Sequence, residues 1–367
     1  MTWTDSAHRH LKAGNLAEAI RLCTMRLAIV PGDLPALHVR TIARLIGDDV
    51  GAVTDLRRLA AAKGGFPELR IELATTAADC GYFDEAIALA RKGGTEAKHL
   101  LSQLTEAPYF GTNHALQGGP ARQVYMSAVV GLQWSSDRPL RILEIGSYMG
   151  ASLLTWAGAV TRLAGGRAEI HCVDPWEDAA TDQYADAMGQ ALRSGKAYRF
   201  FANARRFIPK SIKVVEWRGF SQEVLPRLGG ERFDIIYVDG CHLHPEVLND
   251  LRACDALLED GGIICGDDLE AQIDEIAPML AHRHARGDFI RDAVTGRGFH
   301  PGVTLGVAEF FGCRVSVYRG FWVMRKRGPG YQPVAMEGRG VLPDHWPEAL
   351  RRQAAADIAE DGLVELV

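Results

Sequence analysis

The segment "RILEIGSYMG" (141–150) has the form of a buried strand that ends in a glycine turn. Four further segments share this form, a short apolar run that ends in glycine or aspartate: 168–174, 212–219, 233–239 and 261–268. Continuous apolar runs of this length are typical of parallel strands that are covered on both faces. The pattern therefore predicts a parallel sheet in the interior of the protein.

Segments with helical spacing separate these strands, so the chain alternates between strand and helix. The predicted helices are 151–164, 180–194, 221–228 and 245–258. Such alternation is typical of a doubly wound α/β fold. Two further strands, "CRVSVYR" (313–319) and "GFWVMRK" (320–326), follow with almost no linker between them. We therefore expect these two strands to be antiparallel to each other.

The first hundred residues carry a repeat instead. "GNLAEAI" begins at Gly14, "GDDVGAV" at Gly47 and "GYFDEAI" at Gly81, and an alanine follows each glycine at the same offset: Ala19, Ala52 and Ala86. The apolar residues between the copies fall at helical intervals. A period of about 34 residues resembles tetratricopeptide helix pairs, which often bind a partner. Plain helical hairpins with no binding role are the alternative interpretation.

The length of the chain, 367 residues, exceeds what one ordinary core supports, so two domains are expected. We place an all-α, tetratricopeptide-like domain at 1–104 and an α/β domain at 105–327. A partly helical tail at 328–367 follows, and the sequence assigns it no role.

Composition argues against several classes of protein. Apolar residues make up 47% and charged residues 24%, which is ordinary globular usage. The net charge of −5 comes without a long basic block, so nucleic acid is not an expected partner. The seven cysteines form no C-x-x-C pair, which argues against a disulfide framework. No apolar run is long enough to span a membrane, and residues 1–12 lack the core of a signal peptide, so a cytoplasmic location is expected.

Candidate binding residues follow the first three strands, because ligands of open parallel sheets bind beyond the carboxyl ends of the strands. Glycines in 146–150 allow a close approach of the backbone, and Glu144 could accept from an ammonium group. Asp174 could accept from both hydroxyls of a ribose, with a turn-forming Asp-Pro pair as the alternative. Ser221 and Gln222 could reach an adenine edge, although a helix cap alone would explain Ser221.

Carboxylates follow the fourth and fifth strands. Asp239 ends the fourth, and Asp267 and Asp268 end the fifth. These two strands are expected to be neighbours, which brings the three carboxylates to one place. Like charges raise each other's pKa unless a cation lies among them. A set of oxygen ligands favours a hard cation such as Mg²⁺ or Mn²⁺.

The order Glu-x-Gly-x-Tyr-x-Gly-x-Ser, an acidic strand end, Gly-x-Ser-Gln, and then Asp and Asp-Asp resembles class I S-adenosylmethionine-dependent methyltransferases. More narrowly, the chain is similar to catechol O-methyltransferase and to the metal-dependent sugar O-methyltransferases of natural-product tailoring. Residues 299–326 resemble the carboxyl-terminal part of the sugar-modifying branch, and the whole match covers about 115–327. The resemblance implies a mostly parallel, seven-stranded, doubly wound sheet whose final strand is antiparallel.

The same resemblance assigns roles to individual residues. S-Adenosylmethionine is expected to be held by Glu144, Gly146, Ser147, Tyr148, Gly150, Ser152, Asp174, Ser221, Gln222 and Asp239, and the metal by Asp239, Asp267 and Asp268. The catechol enzyme has asparagine in the place of Asp268 and lysine in the place of His242, whereas the sugar enzymes share the histidine. This difference favours an aliphatic hydroxyl as the acceptor and leaves catechols open.

Two histidines stand in "VDGCHLH" (238–244), directly after the fourth strand. Zinc is one interpretation, but no cysteine pair supports it. His244 precedes a proline at a predicted helix start, and we expect it to be an ordinary loop residue. His242 is the predicted general base, because imidazole has an unperturbed pKa of about 6.5 and a sugar hydroxyl must lose its proton before it attacks.

The sequence therefore predicts a metal-dependent O-methyltransferase that acts on a sugar or a glycosylated small molecule. Segments 105–125 and 269–300 are expected to cover the acceptor. Two alternatives remain, namely an inactive methyltransferase-like scaffold that binds protein partners, or itself, through the repeats, and a metal-independent methyltransferase.

Overall fold

The structure is a computed structural model that describes residues 3–62, 67–111, 113, 118–135, 138–176 and 187–367. The chain divides into two compact units. The helical unit consists of Met1–Ala115 together with Asp186–Asn203. The sheet unit consists of Leu116–Ala185 together with Ala204–Val367. In the described residues, no helix is long and apolar enough to cross a membrane.

The elements of the described residues are numbered in chain order. The α-helices are α1 Trp3–Lys12, α2 Leu16–Ile29, α3 Leu34–Ile46, α4 Gly51–Ala61, α5 Pro67–Asp79, α6 Phe83–Ala90, α7 Lys98–Thr105, α8 Pro120–Gln133, α9 Ala151–Leu163, α10 Ala187–Arg193, α11 Lys196–Arg205, α12 Ser221–Val224, α13 Glu246–Leu257, α14 Leu280–Arg283, α15 Pro301–Phe311 and α16 Glu348–Asp361. The strands are β1 Leu140–Ile145, β2 Ala168–Asp174, β3 Ile212–Arg218, β4 Phe233–Val238, β5 Leu258–Gly266, β6 Ile290–Arg291, β7 Gly298–Phe299, β8 Ser316–Tyr318, β9 Phe321–Arg327, β10 Gly330–Pro333, β11 Gly338–Gly340 and β12 Val364–Leu366.

The helical unit is built from successive helix pairs, α1 with α2, α3 with α4, and α5 with α6. The repeated glycines, Gly14, Gly47 and Gly81, each lie in the turn inside one pair. Gly81 has a φ of +81°, which residues with a side chain rarely adopt. The alanines of the repeat are fully buried: Ala19, Ala52 and Ala86. The predicted helical repeat is confirmed, and its tetratricopeptide character stays a prediction.

The helical unit also contains a segment that is distant in sequence. The Arg199 guanidinium on α11 donates to the carbonyl of Cys80 at 3.1 and 3.0 Å. The ring of Phe200 packs edge-on against Phe83, with centroids 5.1 Å apart. Of the helix predicted at 180–194, α10 lies in the described residues and 180–186 do not, whereas α11 follows the predicted helix and was not predicted. The domain boundaries predicted at 104 and 327 stay a prediction.

The central sheet has eight strands in the described residues, and seven of them follow the order β10-β9-β5-β4-β1-β2-β3. Strands β1 to β5 are parallel, as predicted. Strand β9 is antiparallel to β5 and to both β8 and β10. The predicted number of seven strands is therefore wrong. One strand, β9, is antiparallel to the others, as predicted, but it is followed by β10 and is not the final strand of the sheet. A turn at Gly328, where φ is +54°, reverses the chain and lets β10 pair with β9.

The inner strands are buried on both faces, which explains their apolar sequences. All six residues of β4 are buried. Helices α8 and α9 pack against each other, and so do α13 and α15. A core cluster between sheet and helices includes Leu143, Ile236, Ile264, Leu251 and Trp322. This packing fixes the positions of the strand ends, where the candidate site lies.

The predicted tail belongs to the sheet unit. Helix α16 and strand β11 both pack on α8. The backbone N–H of Val341 donates to the hydroxyl of Ser127 on α8 at 2.7 Å. The guanidinium of Arg319 donates to Asp361 at 2.8 Å and to Glu360 at 2.7 Å. The tail therefore holds α8 in place.

Candidate functional site

The turn after β1 requires glycine at its first position. Gly146 has a φ of +88°, and a Cβ built on it would lie 1.9 Å from the carbonyl oxygen of Asp239. The turn after β1 therefore passes directly against the turn after β4. Gly150, with a φ of +86°, precedes α9. The predicted glycine turn is confirmed, and it leads to the first N–H groups of α9, which have no partner within the helix.

Asp174 fastens this turn to the end of β2. Its Oδ2 accepts from the backbone N–H of Tyr148 at 2.9 Å and its Oδ1 from that of Trp176 at 2.7 Å. Burial raises the pKa of Asp174 to about 6, against the effect of these N–H groups. The bond to Trp176 agrees with the turn-forming interpretation of the Asp-Pro pair. A contact with ribose hydroxyls would use the remaining lone pairs, and it stays a prediction.

Glu144 lies beneath the turn and is fully buried. Its Oε2 accepts from the hydroxyl of Ser147 at 2.7 Å. Burial raises the pKa of Glu144 to about 7, against the hydrogen bonds from Ser152 and Ser147. The carboxyl group therefore supports the turn from inside, and its predicted contact with the cofactor stays a prediction.

Ser221 does not cap the helix that follows β3, which corrects the sequence interpretation. The cap position of α12 is Phe220, and Ser221 is the first residue of the helix. Burial raises the pKa of the Asp250 carboxyl overall to about 7, although the hydroxyl of Ser221 lowers it. Gln222 is exposed. With capping removed as an explanation, the adenine contact of Ser221 and Gln222 stays a prediction.

Asp239 and Asp267 meet at an arginine. One terminal nitrogen of Arg122, on α8, lies 2.9 Å from Oδ2 of Asp239 and 2.6 Å from Oδ2 of Asp267. The hydroxyl of Tyr237 donates to the same oxygen of Asp239 at 2.8 Å. Burial lowers the pKa of Arg122, but Asp267, Tyr237 and Asp239 outweigh it and hold this pKa well above its ordinary value. Two of the three predicted metal ligands thus share one positive charge that the protein itself supplies.

Asp268 pairs with His242 instead of Arg122. Its backbone is left-handed, with a φ of +63°. Oδ2 of Asp268 lies 3.0 Å from Nε2 of His242, and Oδ1 of Asp288 lies 2.8 Å from the other ring nitrogen. Burial lowers the pKa of His242, but Asp268 and Asp288 outweigh it and hold it well above its usual value. The predicted base therefore lies at the strand ends, between two carboxylates.

A second histidine completes the polar cluster. The ring of His300, just before α15, lies 4.8 Å from the ring of His242 between centroids. Its Nδ1 lies 3.0 Å from Oε1 of Glu270. Helix α15 packs closely on the loop after β4, since a Cβ on Gly302 would lie 2.1 Å from the carbonyl oxygen of His242. His244 pairs with Glu309 on the same helix at 3.0 Å, which agrees with an ordinary loop role.

The predicted oxygen-only metal set does not form a single cluster of ligand atoms. Among the described residues, the groups that bring ligand atoms within 4.8 Å of one another each contain a histidine: Asp239–His242–Asp268, His242–Asp288–His300 and Asp268–Glu270–His300. Asp267 belongs to none of them. One of them, His242–Asp288–His300, offers two imidazoles and a carboxylate, which are ligand types that zinc also uses, so zinc stays an alternative interpretation. Metal binding by Asp239, Asp267 and Asp268 stays a prediction, and the structure does not fit it as one set.

Sequence reasoning missed Arg122, Asp288, His300 and Glu270 as individual residues, although the segments predicted to cover the acceptor contain them. The local signal for Arg122 was available. It stands beside Gln123 near the start of a mostly apolar helix, and both side chains are buried. Two adjacent polar residues inside an apolar helix indicate buried partners. Asp288 lies in a segment without periodicity, so nothing local marks it.

Three solved structures illustrate what the chain resembles. CalS11, a TDP-rhamnose 3'-O-methyltransferase of calicheamicin biosynthesis, is 16% identical over 73% of this chain and 98% of that chain, with a TM-score of 0.37. The O-methyltransferase from Bacillus cereus, in complex with SAH, is 15% identical over 64% and 98%, with a TM-score of 0.34. TomG from Streptomyces achromogenes, involved in tomaymycin synthesis and in complex with SAM, is 18% identical over 56% and 80%, also at 0.34. Likeness at this level carries no argument about activity.

A search of curated proteins found no match. A family model does match the chain, over residues 143–269, and it describes a methyltransferase domain. The matched segment runs from β1 to just beyond β5, and it contains the glycine turn together with Asp239, His242 and Asp268. Arg122 and Asp288 lie outside it. Part of the sheet unit of this chain is therefore similar to a methyltransferase domain.

Proposed function

We propose that the protein is an S-adenosylmethionine-dependent O-methyltransferase that acts on a hydroxyl of a sugar or a glycosylated small molecule, with His242 as general base. One observation carries the proposal. A histidine and carboxylates from the ends of β4 and β5 meet beside the glycine turn of β1, and this arrangement lies in the segment that matches a methyltransferase domain.

The turn after β1 fits the cofactor. Gly146 lets this turn pass directly against Asp239, and the N–H groups at the start of α9, which have no partner within the helix, can donate to a carboxylate. S-Adenosylmethionine supplies an electrophilic methyl group on a sulfonium centre. The residues proposed to hold it are Glu144, Gly146, Ser147, Tyr148, Gly150, Ser152, Asp174, Ser221, Gln222 and Asp239.

His242 is proposed to take the proton of the acceptor hydroxyl. In the described state, both ring nitrogens face carboxylates, which favours the imidazolium form. An acceptor hydroxyl that enters between Nε2 and Asp268 would break that bond and leave Asp288 holding the other nitrogen. As Asp268 is displaced, the imidazolium would release its Nε2 proton to solvent. The neutral ring, with Nδ1–H still donating to Asp288, would then present on Nε2 the lone pair that a general base needs. Asp288 would act as a positioning residue for the ring.

The chemistry around His242 supports a polyhydroxylated acceptor. His300, Glu270 and Asp288 lie within reach of the same space and offer both donors and acceptors of hydrogen bonds. A sugar presents several hydroxyls that such groups can orient. The similarity of the sequence to sugar-modifying enzymes points in the same direction, and an acceptor with catechol hydroxyls remains part of the test.

Mg²⁺ or Mn²⁺, the second cofactor predicted from the sequence, has weaker support. Asp239 and Asp267 share a guanidinium nitrogen of Arg122, and Asp268 faces His242. We therefore assign no step to a metal ion. The same observation favours a second candidate function, a metal-independent O-methyltransferase in which Arg122 is the fixed cation of the site.

The test has two stages. Calorimetric titration with S-adenosylmethionine should show saturable binding, and a methyl-transfer screen of nucleotide sugars, glycosides and catechols should yield O-methyl products. Each acceptor is assayed with Mg²⁺ and with excess EDTA, which separates the two candidate functions. Absence of cofactor binding would refute both, and methylation of nitrogen rather than oxygen would refute the proposed reaction.

A further inference from the structure

Arg122 holds the position that a divalent cation would need between two of the strand-end carboxylates. One of its nitrogens lies 2.9 Å from Asp239 and 2.6 Å from Asp267. These are the distances of charge-assisted hydrogen bonds. A metal ion that bridged the same two oxygens would have to lie where this nitrogen lies.

The arginine is built into the site rather than resting on its surface. Its side chain is 9% exposed, against 16% for Asp239 and 11% for Asp267. A guanidinium keeps its charge at every pH at which proteins fold. The guanidinium therefore offsets part of the negative charge of the two carboxylates, and a buried ion pair of this kind is costly to break from one side.

We propose that Arg122 takes the place of a divalent cation between Asp239 and Asp267, so that these two carboxylates do not bind a metal in the wild-type protein. The inference concerns the same site as the proposed function. Only an effect of Arg122 on turnover would rest on that function, and the measurements of metal binding do not. It accounts for two acids that lie close together without requiring a bound ion.

The inference is tested by metal binding, with Arg122→Met as the main variant. Methionine keeps much of the length and removes the charge, which leaves Asp239 and Asp267 facing each other. We expect Mg²⁺ and Mn²⁺ to bind the variant about tenfold or more tightly than the wild type, because the competing cation is gone. Thermal unfolding should show the matching effect, with MgCl₂ raising the Tm of the variant and leaving that of the wild type unchanged. Arg122→Lys keeps the charge and should gain no metal binding.

Arg40→Met is the matched control. The Arg40 side chain is 9% exposed, as is that of Arg122, and it bonds Asp55 at 2.9 and 2.7 Å in the helical unit. Its loss should lower the Tm without rescue by Mg²⁺. Asp55 keeps its contact with Arg44 at 2.7 Å, so the comparison separates a specific metal site from the general effect of removing a buried arginine from a carboxylate.

Two results would overturn the inference. The first is saturable binding of Mg²⁺ or Mn²⁺ to the wild type that Asp267→Asn abolishes, a measurement that holds even if Arg122→Met fails to fold. The second is a folded Arg122→Met variant that gains no metal binding. Binding of S-adenosylmethionine is titrated in parallel, so that failure of the proposed function shows as loss of cofactor binding and leaves the metal result readable.

Discussion

Replacing His242 by alanine should lower turnover sharply and leave the affinity for S-adenosylmethionine unchanged. The substitution removes the ring that Asp288 and Asp268 hold at 2.8 and 3.0 Å. The cofactor residues proposed at the turn after β1 do not include this ring. Loss of the base should therefore appear in kcat rather than in cofactor binding.

The size of the loss follows from the contacts of the ring. General base catalysis contributes about 10²- to 10⁴-fold to a rate, or about 3 to 5 kcal/mol of barrier. Nε2 must first give up its bond to Asp268, and a hydrogen bond to a charged group is worth about 1.5–3 kcal/mol. That cost reduces the net gain from the base. We therefore expect a loss of about a hundredfold, at the lower end of the general range.

The assay is single-turnover methyl transfer to the best acceptor of the screen, with cofactor binding measured by calorimetry on the same preparations. His244→Ala is the matched control, since this histidine lies two residues further along the same loop and its ring pairs with Glu309 at 3.0 Å. A surface pair of this kind contributes little, so we expect the control to stay within about twofold of the wild type.

Two outcomes would remove His242 from the proposed mechanism. One is near-native turnover of His242→Ala across about pH 6 to 9, the range in which an imidazole base would matter. The other is an equal loss in His244→Ala, which would indicate that disturbance of the loop, and not the missing base, slows the reaction.

Gly146→Ala should lower the free energy of unfolding by about 2 kcal/mol or more, because a φ of +88° is strained for alanine and the new Cβ would lie 1.9 Å from a backbone oxygen. Urea unfolding checks this against Gly158→Ala, where the built Cβ has no described atom within 4 Å. Asp288→Asn should lower kcat about tenfold with little change in KM. The loss of kcat should be smaller than for a fully buried partner, because the Asp288 side chain is 49% exposed. In steady-state kinetics, recovery of kcat in Asp288→Glu would support a positioning role, and an unchanged kcat in Asp288→Asn would contradict it. Burial raises the pKa of Glu144 from 4.5 to about 7, so the unfolded chain releases this proton first as the pH rises. The free energy of unfolding that the protonated carboxyl contributes should be fully present below about pH 4.5 and lost by about pH 7, a decrease of at most about 3 kcal/mol. In thermal unfolding, Glu144→Gln should reduce the dependence of Tm on pH over this range.

The parallel strands could be predicted because burial on both faces leaves a continuous apolar run in the sequence. The predicted strand at 168–174 coincides with β2. The strand predicted at 261–268 begins earlier, at Leu258, because β5 continues across an irregularity in its pairing with β4. Strand β10, with the sequence GYQP, was missed because glycine and proline conceal a short strand that pairs with β9.

The candidate site could be predicted only where the sheet itself brings residues together. Asp239 and Asp268 follow neighbouring parallel strands, so their proximity follows from topology. Arg122 is 117 residues from Asp239 in the sequence, and no periodic pattern links the two. Converging acids need a positive charge, and on that ground the sequence predicts a metal ion. The requirement was sound, but the structure meets it for Asp239 and Asp267 with a side chain from a distant helix.

That helix depends in turn on the tail to which the sequence assigned no role. The hydroxyl of Tyr125 on α8 bonds Asp361, 236 residues away, and Asp361 also accepts from Arg319. A Cβ on Gly340 would lie 2.9 Å from Val124, so β11 and α8 are in close contact. Arg122 precedes these residues by one turn or less, and its reach to the carboxylates is set by where α8 lies. The charge balance at the strand ends is therefore a property of the whole sheet unit, including its last twenty residues, and the segment that matches the methyltransferase domain does not supply it alone.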